Sequence, residues 1–124
     1  MACKIIWEKN GILFKHSGTV TDQEARSMND IMYGDKRFET IKYQISDYTE
    51  VTNNLLTHTD AKIIGTLDRT SSNWTSKRMR IVVVTKDEKF VPIIKTYFKE
   101  FVGTLWECKI FETLEMAYEW VKSV

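Results

Sequence analysis

The segment Arg80-Ile81-Val82-Val83-Val84-Thr85 narrows the fold more than any other part of the chain. Five consecutive β-branched side chains, Ile81 to Thr85, are stiff at χ1, which disfavours helix and suits a pleated surface. Side chains alternate across a strand, so an unbroken apolar run presents apolar groups to both faces. Such a strand lies inside a sheet covered on both sides, the usual setting of parallel strands in α/β proteins. Its surroundings agree. Trp106-Glu107-Cys108-Lys109-Ile110 alternates as a further strand. Between the two, Asp87 is placed to cap a helix carrying Phe90, Val91, Ile94, Phe98 and Phe101 inward, with Pro92 in its first turns and Gly103 as its stop. Thr113 then caps a closing helix with Leu114, Ala117, Trp120 and Val121 on one face.

Upstream, Asn10-Gly11 separates Lys4–Lys9 from Ile12–Ser17, the short-range signature of a β-hairpin. A two-residue turn there pairs Lys9 with Ile12, Trp7 with Phe14 and Ile5 with His16. Ile5, Trp7, Ile12 and Phe14 then share the buried face, and Ile6 and Leu13 join Glu8 and Lys15 on the other. Thr21-Asp22-Gln23-Glu24 reads as a capping box, followed by Ala25, Met28, Ile31 and Met32 at helical spacing and Gly34 as a left-handed stop. Thr40–Ser46 alternates through Ile41, Tyr43 and Ile45 as a strand, and a polar loop is expected from Asp47 to Asn54. A second helix is predicted over Asp60–Arg69, capped by Thr59 and interrupted by Gly65, with Ser71–Lys77 as a connection.

The order is strand, strand, then three helix–strand steps and a final helix. Right-handed crossovers make strands two to five parallel, with the first antiparallel to its hairpin partner. The expectation is an α/β fold: a five-stranded mixed sheet, an N-terminal β-hairpin then βαβαβαβα, with four helices mainly on one face. Because two later strands carry a polar face, part of the opposite side is expected to meet water or a partner. The 124 residues fit one domain, 1–124, and 43% apolar with 28% charged residues is a globular balance.

Composition excludes several functions. Eighteen Lys and Arg against 17 Asp and Glu leave a formal charge of +1, with no global pull toward nucleic acid or an anionic membrane and little self-repulsion. No run approaches the ~20 apolar residues needed to insert in a membrane. The start, Met1-Ala2-Cys3-Lys4, meets a charge too early for a secretory signal, so the expected location is cytoplasmic. Cys3 and Cys108 form no CxxC and no Cys/His cluster, which predicts reduced thiols and no metal. The five glycines, at 11, 18, 34, 65 and 103, build no phosphate loop, and no cofactor is expected.

Several features together resemble a known family: the Trp7…Asn10-Gly11 hairpin, Gly18-x-Val20-Thr21, Tyr33-Gly34-Asp35-x-Arg37-Phe38, Tyr43-x-Ile45-x-Asp47 and the Ile81–Val84 strand. They are similar to the STAS-like fold of anti-sigma-factor antagonists, and within it to the branch of small bacterial proteins labelled STAS/SEC14-like. The resemblance spans essentially the whole chain and is one of fold and spacing, without a catalytic signature. It implies a non-enzymatic regulatory or protein-interaction domain, and in the antagonists a serine opening the helix after the third strand is phosphorylated. Here Asp47 matches the strand-end Asp, while Val51-Thr52-Asn53-Asn54 replaces the serine turn and leaves Thr52 as the one hydroxyl able to stand in. The SEC14-like label also implies an apolar pocket between helices and sheet.

The candidate interaction surface is therefore Asp47, Tyr48, Thr49, Thr52, Asn53 and Asn54, facing a protein partner or a second copy. The alternative is a carrier of a small apolar ligand, lined by residues such as Met28, Ile64, Ile94 and Phe98. Helical spacing already explains those side chains as core. His16 reads as a buried structural histidine, and His58-x-Asp60 lacks a nucleophile. Asp35 and Arg37 shape their loop while Phe38 plugs the core edge. Trp74 with Lys77, Arg78 and Arg80 is the sole basic-aromatic cluster, too short to read as a nucleic-acid site.

Overall fold

A computed structural model describes residues 3–123; Met1, Ala2 and Val124, the outermost positions of the expected domain, lie outside the described residues. The elements are β1 (Cys3–Trp7), β2 (Gly11–Val20), α1 (Asp22–Tyr33), a 3-10 turn (Lys36–Glu39), β3 (Tyr43–Asn54), α2 (His58–Thr75), β4 (Met79–Val84), α3 (Val91–Lys99), β5 (Trp106–Phe111) and α4 (Leu114–Lys122). The strands lie in sequence order, with β1 antiparallel to β2 and every later pair parallel. This is the expected α/β architecture.

Both faces of β4 are apolar because helices press on it from both sides. On one face Ile12, Phe14, Ile81 and Trp106 meet Met28 and Met32 of α1 and Phe101 after α3, while Val83 meets Phe90 and Ile94. On the other, Leu13, Tyr43, Ile45, Val82 and Val84 pack against Ala117 of α4, with Leu114, Tyr118 and Val121 around them. Burying a side chain of this size contributes about 1.5–3 kcal/mol before the entropy of ordering it. Three helices thus cover one face and one covers the other. The polar positions of β5, Glu107 and Lys109, are exposed beside α4. Those of β3, Gln44 and Ser46, instead point toward the three helices, where the sequence pattern had water or a partner.

Other departures have local causes. The hairpin pairs Trp7 with Ile12, Ile5 with Phe14 and Cys3 with His16, two residues out of the register that an Asn-Gly turn implies. Glu8 N donates to Gly11 O at 2.8 Å, so Glu8, Lys9 and Asn10 form the turn and Gly11 begins β2. Gly11 serves a close approach: a Cβ there would fall 2.2 Å from the ring of Tyr43. The faces survive, because a shift of two keeps each side chain on its side.

Thr21 caps α1 by accepting from Glu24 N at 3.2 Å, but the reciprocal carboxylate bond is absent among the described residues and Glu24 Oε2 is buried without a partner. Gly34 ends α1 in right-handed geometry, and Ile31 faces solvent. Helix α2 starts earlier and runs further than its sequence suggests. Thr57, not Thr59, is the cap, in a reciprocal box with Asp60, and the helix continues through Ser71–Thr75, with Ser72 buried and its carbonyl accepting from Ser76 N at 3.2 Å. Gly65 lets α2 close on α3, where a Cβ would lie 3.1 Å from Tyr97 O. Asp87 organises the turn before α3 by accepting from Lys89 N at 3.0 Å, and no side chain caps that helix.

The largest correction is at β3. The expected loop Asp47–Asn54 is strand, paired with Lys15–Val20 of β2 through two register shifts. Its pairing to β4 ends at Asp47 and Val84. Residues 48–54 therefore continue as an arm hydrogen-bonded to β2 alone.

Candidate functional site

The floor of the site is the helix-facing side of the sheet. Phe14 and His16 of β2, Gln44, Ser46 and Tyr48 of β3, and Ile81 and Val83 of β4 all point that way, as the period-two geometry of strands requires. The roof comes from Ala25, Met28 and Asn29 of α1, Ala61 and Ile64 of α2, and Ile93, Ile94 and Tyr97 of α3. Between them lies a cavity of about 80 Å³. Its wall is mostly aliphatic and aromatic, and contains no Lys, Arg, Asp or Glu.

Two polar side chains of the floor, Gln44 and Ser46, make no side-chain hydrogen bond among the described residues, and His16 leaves one ring nitrogen unpaired. Gln44 is 4% exposed and sits in register between Ile12 and Ile81; Ser46 follows two residues on. His16, 2% exposed, leaves Nδ1 unpartnered. Its ring stacks on Tyr48 with centroids 4.5 Å apart, and Tyr48 in turn packs on Phe90 at 4.8 Å.

Behind the roof a single carboxylate joins three helices. Asp68 of α2, 2% exposed, accepts from Tyr33 OH at 2.8 Å, from Asn29 Nδ2 at 3.3 Å and from Tyr97 OH at 2.6 Å. Asn29 and Tyr33 belong to α1 and Tyr97 to α3. Burial raises the Asp68 carboxyl from 3.8 to about 6, against the three hydrogen bonds that favour its ionised form. The same burial, with the Asp68 charge beside it, drives the Tyr33 and Tyr97 phenols well above their ordinary range, which keeps them as donors.

His16 Nε2 lies 4.0 Å from Cys3 Sγ, a contact that invites a Cys–His dyad. The electrostatics run the wrong way for one. Burial lowers the imidazole to about 4, opposed by the Asp47 charge, and burial with the Glu24 charge raises the thiol to about 11. Activation needs a thiolate and an imidazolium, so this pair supplies no nucleophile as it stands. His58 Nδ1 contacts Thr96 Oγ1 at 2.8 Å, and Asp60 is turned to Thr57, so the His58–Asp60 pair is not formed. No group of three metal-ligating side chains occurs among the described residues.

The six residues expected to form an interaction loop are separated by their strand. Asp47, 1% exposed, points to the α4 side and accepts from Thr49 N at 2.9 Å, which pins the bulge where Tyr48 and Thr49 face the single residue His16. Tyr48 turns into the cavity. Thr49, Thr52 and Asn53 are exposed on the arm, and Asn54 closes it by accepting from Leu56 N at 3.1 Å. Thr52 is thus on a strand rather than at a helix start. The hydroxyl that does open α2 is Thr57, already engaged with Asp60 at 2.9 Å.

The remaining candidates have structural work. Asp35 pairs with Arg37 at 2.7 Å, Arg37 covers the Trp7 ring at 4.4 Å, and Phe38 plugs the core edge against Tyr33, as expected. The basic-aromatic cluster is dispersed. Trp74 is 88% exposed, Lys77 Nζ donates to the carbonyls of Phe38 and Ile41, and Arg80 donates to the carbonyls of Trp120 and Ser123 at the end of α4. Among the described residues no helix is long and apolar enough to cross a membrane.

The cavity was signalled by Gln44 and Ser46, two polar residues at strand spacing within a core strand. Alternation with Ile41, Tyr43 and Ile45 as the buried side places them on the wet face instead.

The hairpin, the four-strand parallel run and the three-plus-one helix layers define an α/β protein of STAS-like fold. No protein-family model matches the sequence, and no curated protein matches it. Among solved structures, the chain is similar to an uncharacterized protein from the DUF3478 family with a SpoIIAA-like fold, from Shewanella loihica PV-4. Identity is 19%, over 97% of this chain and 92% of that one, with a TM-score of 0.56. The likeness is one of fold.

Proposed function

We propose that this chain acts as one non-enzymatic STAS-like domain that holds a small, largely apolar molecule between its sheet and helices α1 to α3. The observation that carries this reading is an apolar cavity whose floor presents the polar side chains of Gln44, Ser46 and His16, with His16 Nδ1 left unpaired. Packed interiors rarely keep either feature, and together they are the composition of a ligand pocket. An engineered apolar cavity of about 150 Å³ binds benzene, so a space of about 80 Å³ takes a small ligand or one end of a longer one. The absence of an activated nucleophile in the Cys3–His16 contact supports binding over catalysis, and the two free cysteines fit a reducing compartment such as the cytoplasm.

A second reading, a regulatory contact with a protein partner or a second copy, is favoured by the arm. Beyond Asp47 the outer edge of β3 is not paired to β4, and Thr49, Thr52 and Asn53 are exposed along it. Such an edge can accept an added strand. Native mass spectrometry of the protein purified from its own host separates the two. A retained mass of roughly one to a few hundred daltons, lost on denaturation, supports the carrier; a bare chain bound to a stoichiometric protein supports the contact surface. A bare monomer counts against both.

A further inference from the structure

We propose that the cavity selects an uncharged ligand whose polar head offers a donor and an acceptor side by side, as a primary carboxamide does, and that Gln44 reads that head. This rests on the ligand-binding reading above and adds the chemical class.

The argument begins with the cost of Gln44. Its carboxamide carries two N–H donors and an acceptor oxygen, buried on the central strands between Ile12 and Ile81 with no hydrogen bond to any described residue. A leucine there would fill the volume without that penalty. The group lines the free space of the cavity, so its partner belongs to whatever occupies that space. A carboxamide pairs best with a group of its own pattern, donor beside acceptor, and Ser46 on the same face offers a hydroxyl next to it.

Charge fixes the rest. The wall holds no cation to pair an ionised carboxylate or a phosphate. The carboxylate behind the roof, Asp68, would repel either through Asn29 and Tyr97. A cationic head gains little, because the Asp68 oxygens are already taken by three donors and stand outside the wall. An ion of either sign would shed its water without a direct partner, whereas a neutral carboxamide exchanges its water for Gln44.

The test uses three probes, hexanamide, hexanoate and xenon, in NMR titrations of the full chain and of Gln44→Leu near neutral pH. Hexanamide is expected to bind the native chain at least about tenfold more tightly than hexanoate, from the desolvation of the ion. Gln44→Leu should weaken hexanamide by about tenfold, one lost charge-neutral pairing, while xenon shifts the same cavity methyls in both proteins. Equal affinity for hexanamide and hexanoate, or hexanamide binding unchanged in Gln44→Leu, overturns the assignment of the head while xenon occupancy leaves the cavity as a binding site. If no probe, xenon included, perturbs the cavity, the ligand-binding reading itself falls. If the variant does not fold, the comparison of the two head groups on the native chain decides alone.

Discussion

Two buried ionisable groups should give this protein a stability that hardly changes between about pH 7 and pH 4.5, and removing either one should expose the other. Asp68 has its carboxyl raised from 3.8 to about 6 by burial. Its folded form holds a proton more tightly than the unfolded chain, so its contribution is full below 3.8 and is lost as pH rises through about 6. His16 moves the opposite way, from 6.5 to about 4, again by burial. Its contribution is present above 6.5 and is lost as pH falls through about 4. At about 1.4 kcal/mol for each tenfold in proton affinity, acidification from pH 7 to about pH 4.5 gains about 2 kcal/mol through Asp68 and loses about 2–3 kcal/mol through His16. In the native chain these nearly cancel. In Asp68→Asn the His16 loss stands unopposed, and stability should drop by about 2–3 kcal/mol over that range. In His16→Gln it should rise by about 2 kcal/mol instead. Urea unfolding followed by tryptophan fluorescence resolves this, since slopes of about 1–3 kcal/mol per molar put the midpoint shifts near 1 M or more. Parallel pH profiles for Asp68→Asn and the native chain would refute the argument, because the carboxyl would then titrate alike folded and unfolded.

Three further substitutions probe the frame around the cavity. Asp47→Ala removes the buried acceptor that pins the β3 bulge at Thr49 and should cost about 1–3 kcal/mol; an unchanged melting temperature would show the bulge is held otherwise. Gly11→Ala drives a methyl into the Tyr43 ring and should cost about 1–3 kcal/mol in chemical denaturation, with Gly11→Ala/Tyr43→Leu recovering part of it. Thr57→Ala should lose about 1 kcal/mol and speed amide exchange in the first turn of α2, whereas Thr59→Ala should leave both unchanged.

The strands that face a core on each side were legible because burial writes itself into the residue pattern. Ile81–Val84 shows this on both faces, and the alternation from Trp106 to Ile110 shows it on one. The arm was not legible, since Thr49, Glu50, Thr52 and Asn53 bury nothing and are strand only because β2 offers them hydrogen bonds. A local signal also lost to a distant one at Gly11, where the approach of Tyr43 decided the register that Asn10-Gly11 suggested. The cap of α2 was within reach, as Thr57-His58-Thr59-Asp60 contains the box, but the nearer threonine competed for the role. The candidate site was half visible. Its apolar lining followed helical periodicity, whereas the polar floor depended on which face α4 would cover, a tertiary fact that no local pattern in Gln44-Ile45-Ser46 could carry.

The placement of α4 also bears on how the chain is made. Every strand leaves the ribosome before this helix, so Leu13, Tyr43, Ile45, Val82 and Val84 wait as a bare apolar sheet until translation reaches Leu114–Lys122. The newborn protein is most prone to stick to its neighbours during that interval. Arrival of α4 covers that sheet, and Tyr118 then joins Tyr43 on the Glu8 carboxylate, so the turn between the first two strands is fastened by the helix that follows the fifth.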